Sequence, residues 1–477
     1  MGNYSGVPLA DRVSEIRASS PRALLTIALM TIAAVAVFAA VLFNRLDLVA
    51  IGVFLCFLPW VFFRAYRKGA ALDFFSPEVG FPTLYVAYLF IGTLNFPVTS
   101  QFNIDLPWTQ WLYYSEGLAF YLLGISVIKH NGLVSIPLAL PRFWNKSRFF
   151  VAIAFLLALG VAGRAVKIVM FGIPLLHPEN QELRVQYAGG YSGTLALALE
   201  VVPICLVLFL AVCKPARKTQ RFIWVLLVIL AFDALSGDSR GGLMRIGLAT
   251  LIVVHYARSR LHLRSLIIFG LVAVIFVSAI GTYRDLSIFG DSHIESLQKK
   301  GYSLSTLWLA DTYESLRVTT EGLYILMQQV GSSHSYTYGA TSLAALAIPL
   351  PGHRPGPGEI VKRVLGMDFV GFGASTTILG PLYLDGGWVA IAIGMFAWGM
   401  LAKFIYMKMV SSQSYFWLLV YSYFVQNQLK AIKDEMFPEL GPLFAILFFA
   451  FVSYFCGKGF LGTWNVLLPT REVETHD

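Results

Sequence analysis

Apolar stretches separated by short polar connections recur from Ala23 to Cys456 and set the rhythm of the chain. They fall at 23–43, 48–63, 80–96, 109–128, 149–172, 194–212, 222–236, 243–257, 265–283, 388–407, 415–433 and 440–456. Most approach the roughly 20 residues that a helix needs to cross a bilayer core. The pattern therefore predicts an all-α integral membrane protein with about twelve transmembrane helices. No polar stretch is long enough for a separate soluble domain, so residues 1–477 read as one polytopic membrane domain. The runs 222–236 and 243–257 meet in a polar hairpin, Ser236-Gly237-Asp238-Ser239-Arg240-Gly241-Gly242. No internal repeat is visible.

Residues 284–387, between the ninth and tenth runs, break this rhythm. Alternation of the spans makes them one large extracytoplasmic loop. From Asp291 to Val330, Leu297, Leu304, Leu307, Leu316, Leu323 and Leu326 recur at helical spacing, which predicts short helices packed on the outer mouth of the bundle. The second half holds Tyr338-Gly339, Pro349, the run Pro351-Gly352-His353-Arg354-Pro355-Gly356-Pro357-Gly358, and Gly371-Phe372-Gly373. Proline and glycine at that density disfavour helix and predict an ordered, re-entrant loop. Long loops in compact domains are uncommon unless they are functional.

Composition agrees with lipid as the solvent: 57% of residues are hydrophobic, 13% are charged, and the mean hydropathy is +0.68. Arg12, Arg17 and Arg22 precede the first run, which is too long for a signal-peptide core and is followed by Asn44-Arg45-Leu46, a poor cleavage site. The first run is thus expected to stay as an anchor. A net charge of +9 would suggest nucleic acid in a soluble protein. Here Arg64, Arg67 and Lys68, then Lys129, Arg142, Lys146 and Arg148, then Lys214, Arg217, Lys218 and Arg221, follow even-numbered runs. Arg258, Arg260 and Arg264, and then Lys403 and Lys408, repeat that placement. This is the asymmetry of cytoplasmic connections, with both termini inside, and it removes the case for a nucleic-acid partner. Cys56, Cys205, Cys213 and Cys456 lie in runs or at their cytoplasmic ends, so they offer neither a disulfide framework nor metal-ligand spacing.

Charge at the outer side is costly and so carries information. Arg164 and Lys167 end the fifth run, Arg184 lies in the next connection, Arg240 in the hairpin, Arg284 where the ninth run emerges, and His353 and Arg354 in the Pro/Gly loop. Guanidinium groups gathered there would suit a lipid-linked diphosphate, because they stay charged and bind phosphate oxygens bidentately. For any one of them the simpler reading is a snorkelling side chain or an ion pair, with Asp238 available to Arg240 and Asp285 to Arg284. Candidate bases near an acceptor hydroxyl are His353, Glu314, Asp311 and Glu321, against solvated helix faces for the acids and a turn role for the histidine. Glu200 and Asp233, inside runs, read either as proton-relay groups of a transporter or as acids satisfied by Arg245 and nearby hydroxyls. No P-loop, Rossmann fingerprint or cytoplasmic acidic cluster for a metal–nucleotide is present.

One ordered series of motifs stands out: Ser239-Arg240-Gly241-Gly242; Tyr283-Arg284-Asp285; Tyr336-Thr337-Tyr338-Gly339 leading to Ile348-Pro349; and Ser375-Thr376-Thr377-Ile378-Leu379-Gly380-Pro381-Leu382-Tyr383-Leu384-Asp385-Gly386-Gly387. In order and topology it resembles the Wzy-type oligosaccharide repeat-unit polymerases, the O-antigen polymerases related to O-antigen ligases. The resemblance runs from about Phe149 to Met407. It implies a metal-independent, GT-C-like, lipid-dependent glycosyltransferase without a cofactor, in the bacterial inner membrane. Such an enzyme moves a growing glycan from undecaprenyl diphosphate to a lipid-linked repeat unit on the periplasmic face. It also implies membrane lipids and a chain-length regulator as partners, and substrate-handling roles for Arg184, Arg240 and Arg284, with Arg354 and Tyr338 alongside. The chain departs from that pattern at Leu350-Pro351-Gly352-His353-Arg354-Pro355-Gly356, where relatives carry a lysine, and at Gln428-Leu429-Lys430-Ala431-Ile432-Lys433, where they carry an arginine. Two other readings stay open: a ligase passing the finished glycan to another acceptor, and a polysaccharide flippase or transporter, which the lack of related halves disfavours.

Overall fold

The computed structural model describes residues 46–67, 73–93, 107–128, 136–138, 140, 145–173, 195–213, 215–236, 240–290, 294–295, 298–299, 307–347, 357–366, 375–433 and 441–457, with the backbone alone at some of these positions. The first apolar run, 23–43, lies outside them.

Fourteen helices carry the described fold: α1 Leu46–Arg67, α2 Gly80–Thr93, α3 Trp108–Val127, α4 Lys146–Phe171, α5 Ala198–Cys213, α6 Arg217–Ser236 and α7 Arg240–Ala257, followed by α8 Leu263–Phe289, α9 Leu307–Gln329, α10 Ala340–Ala347, α11 Pro357–Val364, α12 Leu379–Ser412, α13 Tyr415–Lys433 and α14 Gly441–Cys456. Each apolar run within the described residues coincides with one of these helices. Among the described residues, Lys146–Phe171, Leu263–Tyr283 and Leu379–Ser412 are long and apolar enough to cross a membrane, and several shorter apolar helices accompany them. No strand is present there, only an isolated bridge between Val330 and His334. The chain is an all-helical membrane protein.

Side chains pack into two cores. One joins α4, α5, α6, α7 and α14, and the other joins α1, α2 and α3 to the ends of α9 and α11. Both α12 and α13 contribute to each core, so these two helices hold the halves together. The most extensive helix contact is α3 on α12. A Cβ added at Gly124 would strike the Phe396 carbonyl, and one at Gly399 would strike the Tyr121 carbonyl. The two backbones touch through reciprocal glycines, the way apolar helices pack where lipid removes any hydrophobic drive.

A polar knot closes one end of the bundle. The Asp73 carboxylate, ahead of α2, accepts from the Tyr256 hydroxyl at 2.7 Å, the Tyr406 hydroxyl at 3.1 Å and the Phe75 N–H at 3.0 Å. His255 Nδ1 accepts from the Leu261 N–H at 3.0 Å, which leaves the proton on Nε2, 3.3 Å from Asp73. The Lys403 ammonium pairs with Glu78 beside this knot.

Two expectations for 284–387 meet the structure differently. Leu307, Leu316, Leu323 and Leu326 lie in α9, which packs on α2 and α8, while Leu297 and Leu304 lie outside the described residues. The Pro/Gly-rich second half, expected to avoid helix, contains α10 and α11. Pro357 opens α11, where a missing N–H costs nothing because first-turn donors have no intrahelical partner.

Candidate functional site

The end of the bundle opposite the Asp73 knot is where α2 ends, α3 begins, the body of α12 begins and α13 ends. Its central device is a break in α12. Gly386 and Gly387 leave helical geometry, and Gly387 takes a φ of 62°, a conformation that glycine adopts without strain. Across this break Leu382 packs directly on Gly394. Twelve residues of straight helix would separate those positions by about 18 Å. The segment Leu379 to Asp385 is therefore folded back along the body of the helix.

The fold-back carries the motif beginning at Ser375 into the bundle. Thr376, Thr377, Ile378 and Leu379 are buried, and Leu379 reaches Gly117 on α3. Thr377 has a φ of 63°, a strained state for a β-branched residue. Two bonds hold it: its N–H donates to the Lys433 carbonyl at 3.0 Å, and its hydroxyl accepts from the Leu379 N–H at 3.2 Å. From the end of α13, the Lys433 ammonium donates to the Ser315 hydroxyl of α9 at 3.0 Å.

Asp385, at the tip of the fold-back, clips a second motif to the first. Its carboxylate accepts from the Thr337 hydroxyl at 2.6 Å, the Thr341 N–H at 2.9 Å and the Ser342 N–H at 2.8 Å. Those two N–H groups are orphan donors of the first turn of α10, so a residue some forty positions away serves as its cap. Backbone bonds from the Thr337 N–H to the Leu384 carbonyl (2.9 Å) and from the Tyr338 N–H to the Asp385 carbonyl (3.0 Å) complete the clip. Tyr336-Thr337-Tyr338-Gly339 and Leu384-Asp385-Gly386-Gly387 thus form one unit. Tyr338 stands 85% exposed in a left-handed conformation (φ 51°). Behind it, Tyr383 lies between Tyr113 of α3 and Tyr336, with ring centroids 5.4 and 6.5 Å away.

α9 seals the flank. Thr320 donates to the Gly92 carbonyl at 2.8 Å, and Gln110 donates to the Thr320 carbonyl at 2.8 Å. Arg317 Nε donates to buried Glu321 at 2.6 Å, and its NH1 donates to the Tyr313 hydroxyl at 3.2 Å. Burial opposes the Arg317 charge, but hydrogen bonds to Tyr313 and Glu321 and the Glu321 charge outweigh it and raise its pKa.

Of the residues singled out in the sequence, His353, Arg354 and Arg184 lie outside the described residues. Arg240 opens α7, Arg284 lies in the last turns of α8 and Asp311 in the first turns of α9, each described by its backbone alone. Glu314 is half-buried on α9. Glu321 is fully buried, with one carboxylate oxygen paired to Arg317. Glu200 pairs with Arg245 at 3.1 Å, as the second of its two readings expected. Asp233 pairs with Arg164 at 2.6 Å, so the Arg164 charge is already met within the bundle. Sequence reasoning missed Asp385, Lys433, Ser315 and the tyrosine cluster as a group. The double glycine after Asp385 was the one local signal of the fold-back.

The family model described as "Putative O-antigen polymerase" matches residues 73–432, well over half of the chain. The chain belongs to the O-antigen polymerase family. The match begins at the Asp73 of the polar knot and ends one residue short of Lys433, so it encloses both ends of the bundle. No curated protein and no solved structure matches the chain. Family membership assigns a role in polysaccharide synthesis and a polymerase-type, glycosyltransferase-like activity, and the apolar helices fit a membrane protein. The polar groups around Asp385 fix the turn on which exposed Tyr338 stands.

Proposed function

We propose that the chain polymerises undecaprenyl-diphosphate-linked repeat units into a bacterial surface polysaccharide on the periplasmic face of the inner membrane, at the mouth organised by Asp385. The observation that carries this reading is the joining of the Tyr336–Gly339 and Ser375–Gly387 motifs at one end of the bundle, inside the family match. In this reading twelve spans put both termini in the cytoplasm and residues 284–387 outside.

Arg184, Arg240, Arg284 and Arg354 gather on the donor diphosphate, and Tyr338 contacts the glycan. The leaving diphosphate gains negative charge as the glycosidic bond breaks, and guanidinium groups aimed at it stabilise that charge without a metal. A base, drawn from His353, Glu314 and Asp311, takes the proton of the acceptor hydroxyl. A chain-length regulator in the same membrane sets when the product is released.

Purified protein incubated with a short lipid-diphosphate oligosaccharide tests this. A ladder of lengthened lipid-linked products is expected. A single transfer to an unrelated acceptor would make the chain a ligase, and movement across vesicles without turnover would make it a flippase.

A further inference from the structure

Three tyrosines at the mouth come from segments far apart in the chain: Tyr113 from α3, Tyr336 from the turn before α10, and Tyr383 from the folded-back start of α12. Tyr113 meets Tyr383 at 81° between ring planes, and Tyr336 meets Tyr383 at 67°. Tyr383 is itself buried and serves as the base against which the other two rings are held. Tyr113 and Tyr336 are half-buried, neither packed away nor free.

The backbone is arranged to hold them. A Cβ at Gly387 would sit 3.1 Å from the Tyr336 hydroxyl, so the left-handed glycine that turns α12 back also makes room for this ring. The Asp385 clip fixes the turn on which Tyr336 and exposed Tyr338 stand. Trp108 and Trp388, both exposed, suit the aromatic belt at a membrane surface. Belt residues do not need a strained turn and a buried carboxylate to position them.

We infer that Tyr113 and Tyr336, held against buried Tyr383 and with Tyr338 at the rim, form a carbohydrate-binding platform that holds a sugar ring of the glycan chain. An aromatic face is negative at its centre, and the axial C–H groups on one face of a pyranose are weakly positive, so the two attract with little desolvation cost. Rigid rings also lose little conformational entropy on binding. The platform grips the sugars and leaves the lipid diphosphate to other groups. It deepens the polymerase reading, resting on the mouth as the place where glycan is handled.

The test uses the full-length protein in lipid nanodiscs. One probe is the oligosaccharide freed by mild acid from the source cell's own lipid-linked repeat units; the other is undecaprenyl phosphate. Saturation-transfer NMR is expected to show contact with the free oligosaccharide. Its affinity is expected to fall about tenfold or more in Tyr336→Ala and in Tyr113→Ala and to stay within about threefold in Tyr336→Phe, with undecaprenyl phosphate binding unchanged in all three. Thermal melting of each variant shows that it remains folded. An oligosaccharide that fails to bind the wild type at millimolar concentration, or that binds folded alanine variants as tightly as the wild type, would overturn the platform. If lengthening of lipid-linked glycan fails while tyrosine-dependent binding persists, the polymerase reading falls and the platform stands.

Discussion

The Asp385 carboxylate lies 2.6 Å from the Thr337 hydroxyl, joining two segments that the sequence keeps far apart. With its bonds to the Thr341 and Ser342 N–H groups it caps α10 and anchors the fold-back of α12. An alanine there would leave buried donors unsatisfied, at about 1–3 kcal/mol for such groups. Asp385→Ala is expected to lose most activity and several degrees of melting temperature. Asp385→Asn, which keeps one acceptor oxygen, should fall between it and the wild type; thermal melting and the lengthening assay read both.

The glycine pair between α3 and α12 gives a second expectation. Gly399→Ala would force a methyl into the Tyr121 carbonyl, and Gly124→Ala would force one into that of Phe396. Overpacking of this kind costs about 1–3 kcal/mol. Both variants should yield less monodisperse protein by size-exclusion chromatography and melt earlier.

How much of this was legible beforehand differs by element. Each described helix that meets an apolar run was legible from hydropathy, because a lipid-facing surface must be apolar whatever the packing inside. The Glu200–Arg245 pair was legible as one of two readings, since an intramembrane acid needs a partner. The Arg164–Asp233 partnership was not, because it joins α4 to α6 and depends on how those helices are rotated. Asp385 stood in a quoted motif, yet its role as a cap for α10 depends on a fold-back that only paired glycines hinted at. The helix at Pro357 is not legible from proline density, because proline breaks a helix in its interior but opens one at its first position.

The Arg164–Asp233 pair can be dissected by a double-mutant cycle. Removing either partner strands a charge in a mostly buried place, at a cost of about 1–3 kcal/mol after allowance for partial exposure. Arg164→Ala and Asp233→Ala should each melt earlier than the double variant. Additive losses on thermal melting would mean that the pair is not coupled.

Activity should depend on the arginines proposed to hold the diphosphate. In an alanine panel at Arg184, Arg240, Arg284 and Arg354, at least two variants are expected to lose tenfold or more in lengthening while expressing as folded protein. If all four stay active, no diphosphate pocket is built from these residues.

The most direct test of the whole account is thiol labelling at Tyr338, the exposed residue of the clip. In spheroplasts carrying Tyr338→Cys, a membrane-impermeant maleimide should react from the outside, with the wild type as the blank. In purified protein, lipid-linked repeat units should slow that reaction several-fold. Labelling only after the membrane is breached, or at a rate that lipid-linked glycan does not change, would contradict a periplasmic glycan-joining mouth at this end of the bundle.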